Sequence, residues 1–226
     1  SGFASSGAAD CETLESIYAQ KIDANKSDIE FLKEAITLFR RVGCQESEVY
    51  FAASGYAHQL QPTMESAFGL GRQALKKNDY DAADKFFVEA ASLATDDTTK
   101  SDIYYTIAAI AFDRNSYSKA RQYCQKAIEA NPKACKAYML IGNMYAATAG
   151  SIYDDPVMRK CVYYVVVDKF EAARRADPSC ASEASTLIAR YSNNFPTTEE
   201  IFMHPELEKG KRITIGGWIG ESTTIR

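Results

Sequence analysis

Apolar residues along this chain recur every three or four positions through most of residues 11–193, the spacing that gathers them on one face of a helix. Three helices are expected before residue 62. One runs over 11–24. A second opens at Ser27, where Ser27 and Glu30 are spaced as a capping box, and carries the stripe Phe31, Leu32, Ala35, Leu38 and Phe39. A third runs over 46–59. From residue 64 the pattern becomes a repeat: Tyr80, Ala83, Phe87 and Ala90 return 37 positions later as Tyr117, Ala120, Cys124 and Ala127. They return again, 46 positions further on, as Tyr163, Val166, Phe170 and Ala173. Ahead of each set stands a second amphipathic stretch with its own signature, Leu70-Gly71, Ile107-Ala108 and Ile141-Gly142.

Each unit therefore reads as a helical hairpin, an A helix followed by a B helix. The spacing places Gly71, Ala108 and Gly142 on A against Ala83 and Ala120 on B, because backbones in close approach leave room only for Gly or Ala. Larger residues such as Leu70, Ile107, Tyr145, Phe87 and Phe170 are expected to fill the space toward the next hairpin. Pro132 and Pro178 end their B helices, since the pyrrolidine ring breaks the ladder and biases the preceding residue away from helix.

These residues resemble the tetratricopeptide repeat, a unit of about 34 residues with an early aromatic, Leu-Gly, Tyr, Ala, a second aromatic, Ala and a closing Pro. Residues 101–134 fit through Tyr104, Ile107, Ala108, Ala120, Ala127 and Pro132. The unit from 64 fits through Leu70, Gly71, Ala83, Phe87 and Ala90, and the one from 135 through Tyr138, Ile141, Gly142 and Tyr145. The resemblance implies an all-α fold, an α-α superhelix (a TPR-like right-handed solenoid of about ten helices), with the clearest repeats at 64–97, 101–134 and 135–180. The last unit departs by an insertion of about twelve residues near 147–160. There Asp155-Pro156 predicts a cap and a first-turn proline, so that helix B starts early. "VYYVVV" in the same unit has the composition of a strand, but the register running to Phe170, Ala173 and Pro178 decides for helix.

The ends differ from the middle. Residues 1–10 read as a flexible segment ahead of a helical domain over 11–195. Residues 179–193 are expected to cover the open face of the last repeat. The remainder, 196–226, reads as a cap: Thr197 and Glu200 form a second capping box, and "GKRITIGGWIGESTTIR" alternates, turns and alternates again as a β-hairpin. A lone hairpin is marginal in water, so it must pack on the last helices, with Trp218 as anchor. An end cap is preferred over a docking strand. The "GGWIGE" core is also similar to the tails of uncharacterised bacterial TPR proteins that are often exported.

Charge and chemistry narrow the function. The net charge of −4 gives no basic excess for nucleic acid or an anionic membrane, and no apolar run is long enough to span a bilayer. The chain starts without Met or a signal segment, which reads as a processed form or an expressed fragment. Six cysteines lie scattered without a C-x-x-C pair. They suit either disulfides of an oxidising compartment or small hydrophobes in helix cores. With His58 and His204 far apart, no metal-ligand cluster is expected. No G-x-S-x-G, P-loop, G-x-G-x-x-G or H-E-x-x-H occurs, so neither catalysis nor a cofactor is expected. The acidic pairs Asp96-Asp97, Asp154-Asp155 and Glu199-Glu200 read as helix caps. A bacterial periplasm or cell surface is the expected location, with the cytoplasm as the alternative.

The resemblance also implies where binding occurs. In such repeats the A helices line a concave groove, and their register here nominates Phe68, Arg72, Tyr105, Phe112, Asp113, Met139 and Asn143, with Phe112 equally suited to the core. Aromatics with a few polar groups suit an extended peptide or short helix. The family's clamp for a chaperone's terminal carboxylate needs a lysine where this chain has Phe68, Tyr105 or Met139, and is not expected. The function implied is a non-catalytic protein-interaction scaffold. The alternative is a small-ligand or glycan binder of the TPR-based nutrient-uptake type, against which a single Trp argues.

Overall fold

A computed structural model describes residues 7–226, which form eleven α-helices and one two-stranded ribbon among the described residues. The chain divides into two compact units, Ser1–Ile103 and Tyr104–Arg226.

The first unit contains α1 (Gly7–Ala24), α2 (Ile29–Arg41), α3 (Glu48–Leu60), α4 (Met64–Lys76) and α5 (Tyr80–Leu93), and ends within α6 (Asp97–Asp113). Of the segment expected to be a flexible tether, residues 1–6 lie outside the described residues, and Gly7–Asp10 belong to α1. The cap of α2 is Asp28 rather than Ser27. Its carboxylate accepts from the Phe31 amide at 3.2 Å, which starts the helix one residue later and buries Leu32, Ala35, Ile36 and Phe39. These join Leu14, Ile22, Tyr50 and Phe51 in one apolar cluster. A disulfide between Cys11 and Cys44 fastens α1 to the segment that follows α2.

The pairing of α4 with α5 adds a ring to the expected crossing. A Cβ on Gly71 would stand 2.7 Å from a ring carbon of Phe87. The glycine thus makes a slot for an aromatic ring of the B helix. Ala83 is fully buried nearby on the same B helix. Gly69 does the same work on the opposite side, where a Cβ would meet Ser54 Oγ at 1.9 Å, so α4 is pressed against α3 and α5 by two different glycines.

The turn into the B helix also repeats between two of the units. Asn78 and Asn115, 37 residues apart, both take left-handed conformations, with φ of 57° and 59°. Asn tolerates this region better than other side chains that carry a Cβ. The hydroxyls of Tyr80 and Tyr117 donate to their Oδ1 atoms at 3.2 and 3.1 Å.

The second unit continues α6 and adds α7 (Tyr117–Ala130), α8 (Cys135–Thr148), α9 (Pro156–Ala176), α10 (Ala181–Ser192) and α11 (Thr198–Met203), then β1 (Arg212–Thr214) and β2 (Ser222–Thr224). Asp155 caps α9, accepting from the amides of Val157 and Met158 at 2.8 and 2.9 Å, with Pro156 in the first turn. The strand-like "VYYVVV" lies inside this helix, with Val162, Tyr164, Val165, Val166 and Val167 all buried. Across the α8–α9 crossing, a Cβ on Gly142 would meet two Phe170 ring carbons at 2.8 Å. A second disulfide, Cys135–Cys180, ties the start of α8 to the turn before α10. Cys124 and Cys161 are free and buried. The two readings of the cysteines therefore each hold, for different residues.

The antiparallel ribbon pairs Ile213 with Thr223 and folds back onto the helices as a cap. Trp218 packs edge-on against Tyr145 at 5.3 Å and stacks on Tyr117 at 6.1 Å, and its indole N–H donates to Thr148 Oγ1 at 3.0 Å. The Arg121 guanidinium lies 4.7 Å over the indole and donates to the carbonyls of Trp218 and Ile219 at 2.8 and 2.7 Å. Tyr145 bonds to Glu221, which also pairs with Lys169 at 2.6 Å. At the chain end, Thr223 Oγ1 donates to Asp168 at 2.6 Å, and Arg226 pairs with Asp168 and, at 3.5 Å, with Glu171.

Candidate interaction face on the A helices

The register nominates residues in both units, and the structure gives the two groups different settings. In the first unit Phe68 and Arg72 lie four residues apart on one side of α4. The Phe68 ring is half-buried, 5.1 Å from that of Phe87 and 5.4 Å from the Arg40 guanidinium carbon. Arg72 is ion-paired with Glu46. One turn on, Lys76 donates to the Glu46 carbonyl at 2.8 Å and lies 3.4 Å from the Glu48 carboxylate. The charge of Arg72 is therefore answered inside the fold, and these side chains tie α4 to the start of α3. Beneath them Tyr50 is buried, which pushes its phenol up to about 12 against the lowering influence of Arg40 and Arg72. Its hydroxyl has no hydrogen-bond partner.

In the second unit Tyr105 and Phe112 share one side of α6, and Met139 and Asn143 one side of α8. Met139 is only 6% exposed and belongs mainly to the core. Phe112 is half-buried against Tyr117 at 5.7 Å, so most of its ring serves packing. Asp113 is exposed at the end of α6. Tyr105 is half-buried; burial raises its pKa, and the charges of Glu183 on α10 and of Asp113 act in the same direction. Among the described residues, neither the Tyr105 hydroxyl nor the half-buried Asn143 amide has a hydrogen-bond partner. α6 thus carries a phenol, a carboxylate and a partly exposed Phe112, and α8 carries the Asn143 amide. No group of three or more potential metal ligands occurs among the described residues.

Residues 101–134 match the family model for the tetratricopeptide repeat. Those residues are the hairpin of α6 and α7, the unit in which the register is most complete. The chain therefore carries a tetratricopeptide repeat over residues 101–134. The architecture is similar to that of two crystal structures of MamA. One is 19% identical, covering 77% of this chain and 92% of its own, with a TM-score of 0.57. The other is 19% identical over 77% and 86%, with a TM-score of 0.56. A third structure, YrrB, described as a TPR protein with an unusual peptide-binding site, is 19% identical over 78% of this chain and 84% of its own, with a TM-score of 0.49.

Two features of the structure lie outside the sequence expectations. The Thr63–Ser66 capping box at α4 lacks the usual acidic partner. The α11 turn exposes two large apolar side chains. The second was legible in the run Ile201-Phe202-Met203, since one turn of helix cannot bury three successive residues.

Proposed function

We propose that this chain is a non-catalytic interaction scaffold whose A-helix face in the second unit takes an extended peptide or short helix from a protein partner. The observation that carries this reading is that the Tyr105 hydroxyl and Asn143 amide, on half-buried side chains, have no partner among the described residues. Half-buried polar groups without an internal partner are open to water or to a ligand, and helical repeats present extended concave surfaces that bind one. Phe68 and Arg72 contribute less directly, because both already have partners within the first unit. The glycan alternative would need exposed aromatic platforms, and Trp218 is instead covered by Arg121 and held in the cap. Two disulfides suit an oxidising compartment such as the bacterial periplasm or cell surface. Among the described residues no helix is long and apolar enough to cross a membrane.

The test is a random-peptide display selection on the whole chain, followed by fluorescence anisotropy with the selected peptides. Tyr105→Ala and Asn143→Ala should each weaken binding about tenfold, the loss of one well-placed contact, with unchanged melting. Peptides that bind both variants as well as the parent chain, or a glycan array that binds where peptides do not, would overturn the reading.

A further inference from the structure

Successive side chains on a helix point about 100° apart, so of three apolar neighbours on a single short turn only one can face the core. In α11 that one is Ile201, 5% exposed, while Phe202 and Met203 are 86% and 73% exposed. They are the most exposed large apolar side chains among the described residues. The turn that presents them is firmly held. Thr197 and Glu200 form a capping box, Lys160 donates to both Glu200 oxygens at 2.9 and 2.8 Å, and His204 contacts the Asp155 carboxylate at 3.2 Å.

Beside Met203 lies a cleft of about 710 Å³ with Val157 and Met158 of α9 on its apolar side. Its charged lining is Asp155, Glu199, Glu200 and Glu206, with His204 and no lysine or arginine. Two of these carboxylates are answered, Glu200 by Lys160 and Asp155 by the α9 amides and His204. Glu199 and Glu206 have no cationic partner among the described residues. A separate hollow of about 290 Å³ is lined by Phe202, Ile201 and Leu207, with Glu208 and Lys209.

We infer that this ledge is a second docking surface, separate from the A-helix face, and that it receives a partner segment carrying a lysine or arginine next to a large apolar residue. The exposed Phe202 and Met203 offer an apolar contact already fixed in place, which lowers the ordering cost of binding. The unanswered Glu199 and Glu206 select a cation, since an acidic segment would meet like charge over a cleft with low-dielectric walls. The inference does not depend on what the A-helix face binds.

The experiment is fluorescence anisotropy of the whole chain with synthetic nonapeptides that hold one Arg or Lys and one Leu or Phe at spacings of one to four. Matched sets replace the basic residue by Glu or the apolar residue by Ser. Only the basic–apolar set should bind, weakening about tenfold in Glu199→Lys/Glu206→Lys and in Phe202→Ser/Met203→Ser, and weakening in 0.5 M salt as screening requires. Asn143→Ala should leave this binding unchanged. Equal binding of the Glu set, retention in the Phe202→Ser/Met203→Ser chain, or no binding by any set would overturn the inference. So would concentration-dependent self-association in light scattering that Phe202→Ser abolishes, because the occupant would then be a second copy of this chain.

Discussion

Gly142 lies under the ring of Phe170, so close that a Cβ on the glycine would be 2.8 Å from two ring carbons. Gly71 stands in the same relation to Phe87. In the intervening repeat the register puts Ala108 and Cys124 at these places, both fully buried. A larger residue on A goes with a smaller one on B in the intervening repeat. Gly142→Ala should therefore cost about 1–3 kcal/mol in urea denaturation. Adding Phe170→Cys should cost less than the sum of the two single changes, because the pair then copies Ala108 and Cys124. Strict additivity in that cycle would show that the two positions do not share a space.

Arg121 fastens the C-terminal ribbon through two carbonyls and the Tyr145 hydroxyl, the last at 3.0 Å. Arg121→Met leaves these acceptors without their charged donor, and the loss should be about 1.5–3 kcal/mol. Trp218 is the only tryptophan, so its emission reports on the cap alone. A red shift in the variant at temperatures where helix content is intact is expected. Unchanged emission would mean the indole is held without Arg121.

Thiol counting separates the cysteines by chemistry. Burial pushes Cys124 up to about 12 and Cys161 up to about 11, so neither carries appreciable thiolate at neutral pH. A maleimide should label no cysteine in the native protein, two after denaturation without reductant, and six after denaturation with it. Replacing Cys135 and Cys180 together by Ser frees a separation of 45 residues. The chain-entropy argument gives a loss of roughly 4 kcal/mol, read as a lowered denaturation midpoint.

Acid should loosen the start of α9. The Asp155 carboxyl is held below its ordinary value chiefly by the Met158 amide, and Glu200 chiefly by Lys160. A carboxylate depressed in the folded state contributes fully above its unfolded value and loses that contribution as pH falls through the folded one. The decline should thus begin near pH 4 and deepen below it. Asp155→Asn keeps a capping oxygen but cannot titrate. Its melting temperature should fall less than the parent's between pH 7 and pH 3.

Much of this architecture was legible in the order of residues. The pairs of helices, the insertion ahead of α9, the α11 capping box and the terminal hairpin all follow from periodicities of three to four or of two, and from local caps, which act within a few residues. Local sequence could not say who faces whom. Gly71 and Gly142 announce a close approach, but whether an alanine or a ring fills it depends on how two helices cross. Arg72 and Met139 satisfied the register of the A face, yet Glu46 and the surrounding core claimed them, because ion pairs and burial join residues far apart in the chain. The choice of Cys11–Cys44 and Cys135–Cys180 among many possible pairings belongs to the same class. Spacing along the chain determined the helices and their order; the tertiary structure alone decided which side chains remained free to meet a partner, since packing consumes some and leaves others exposed.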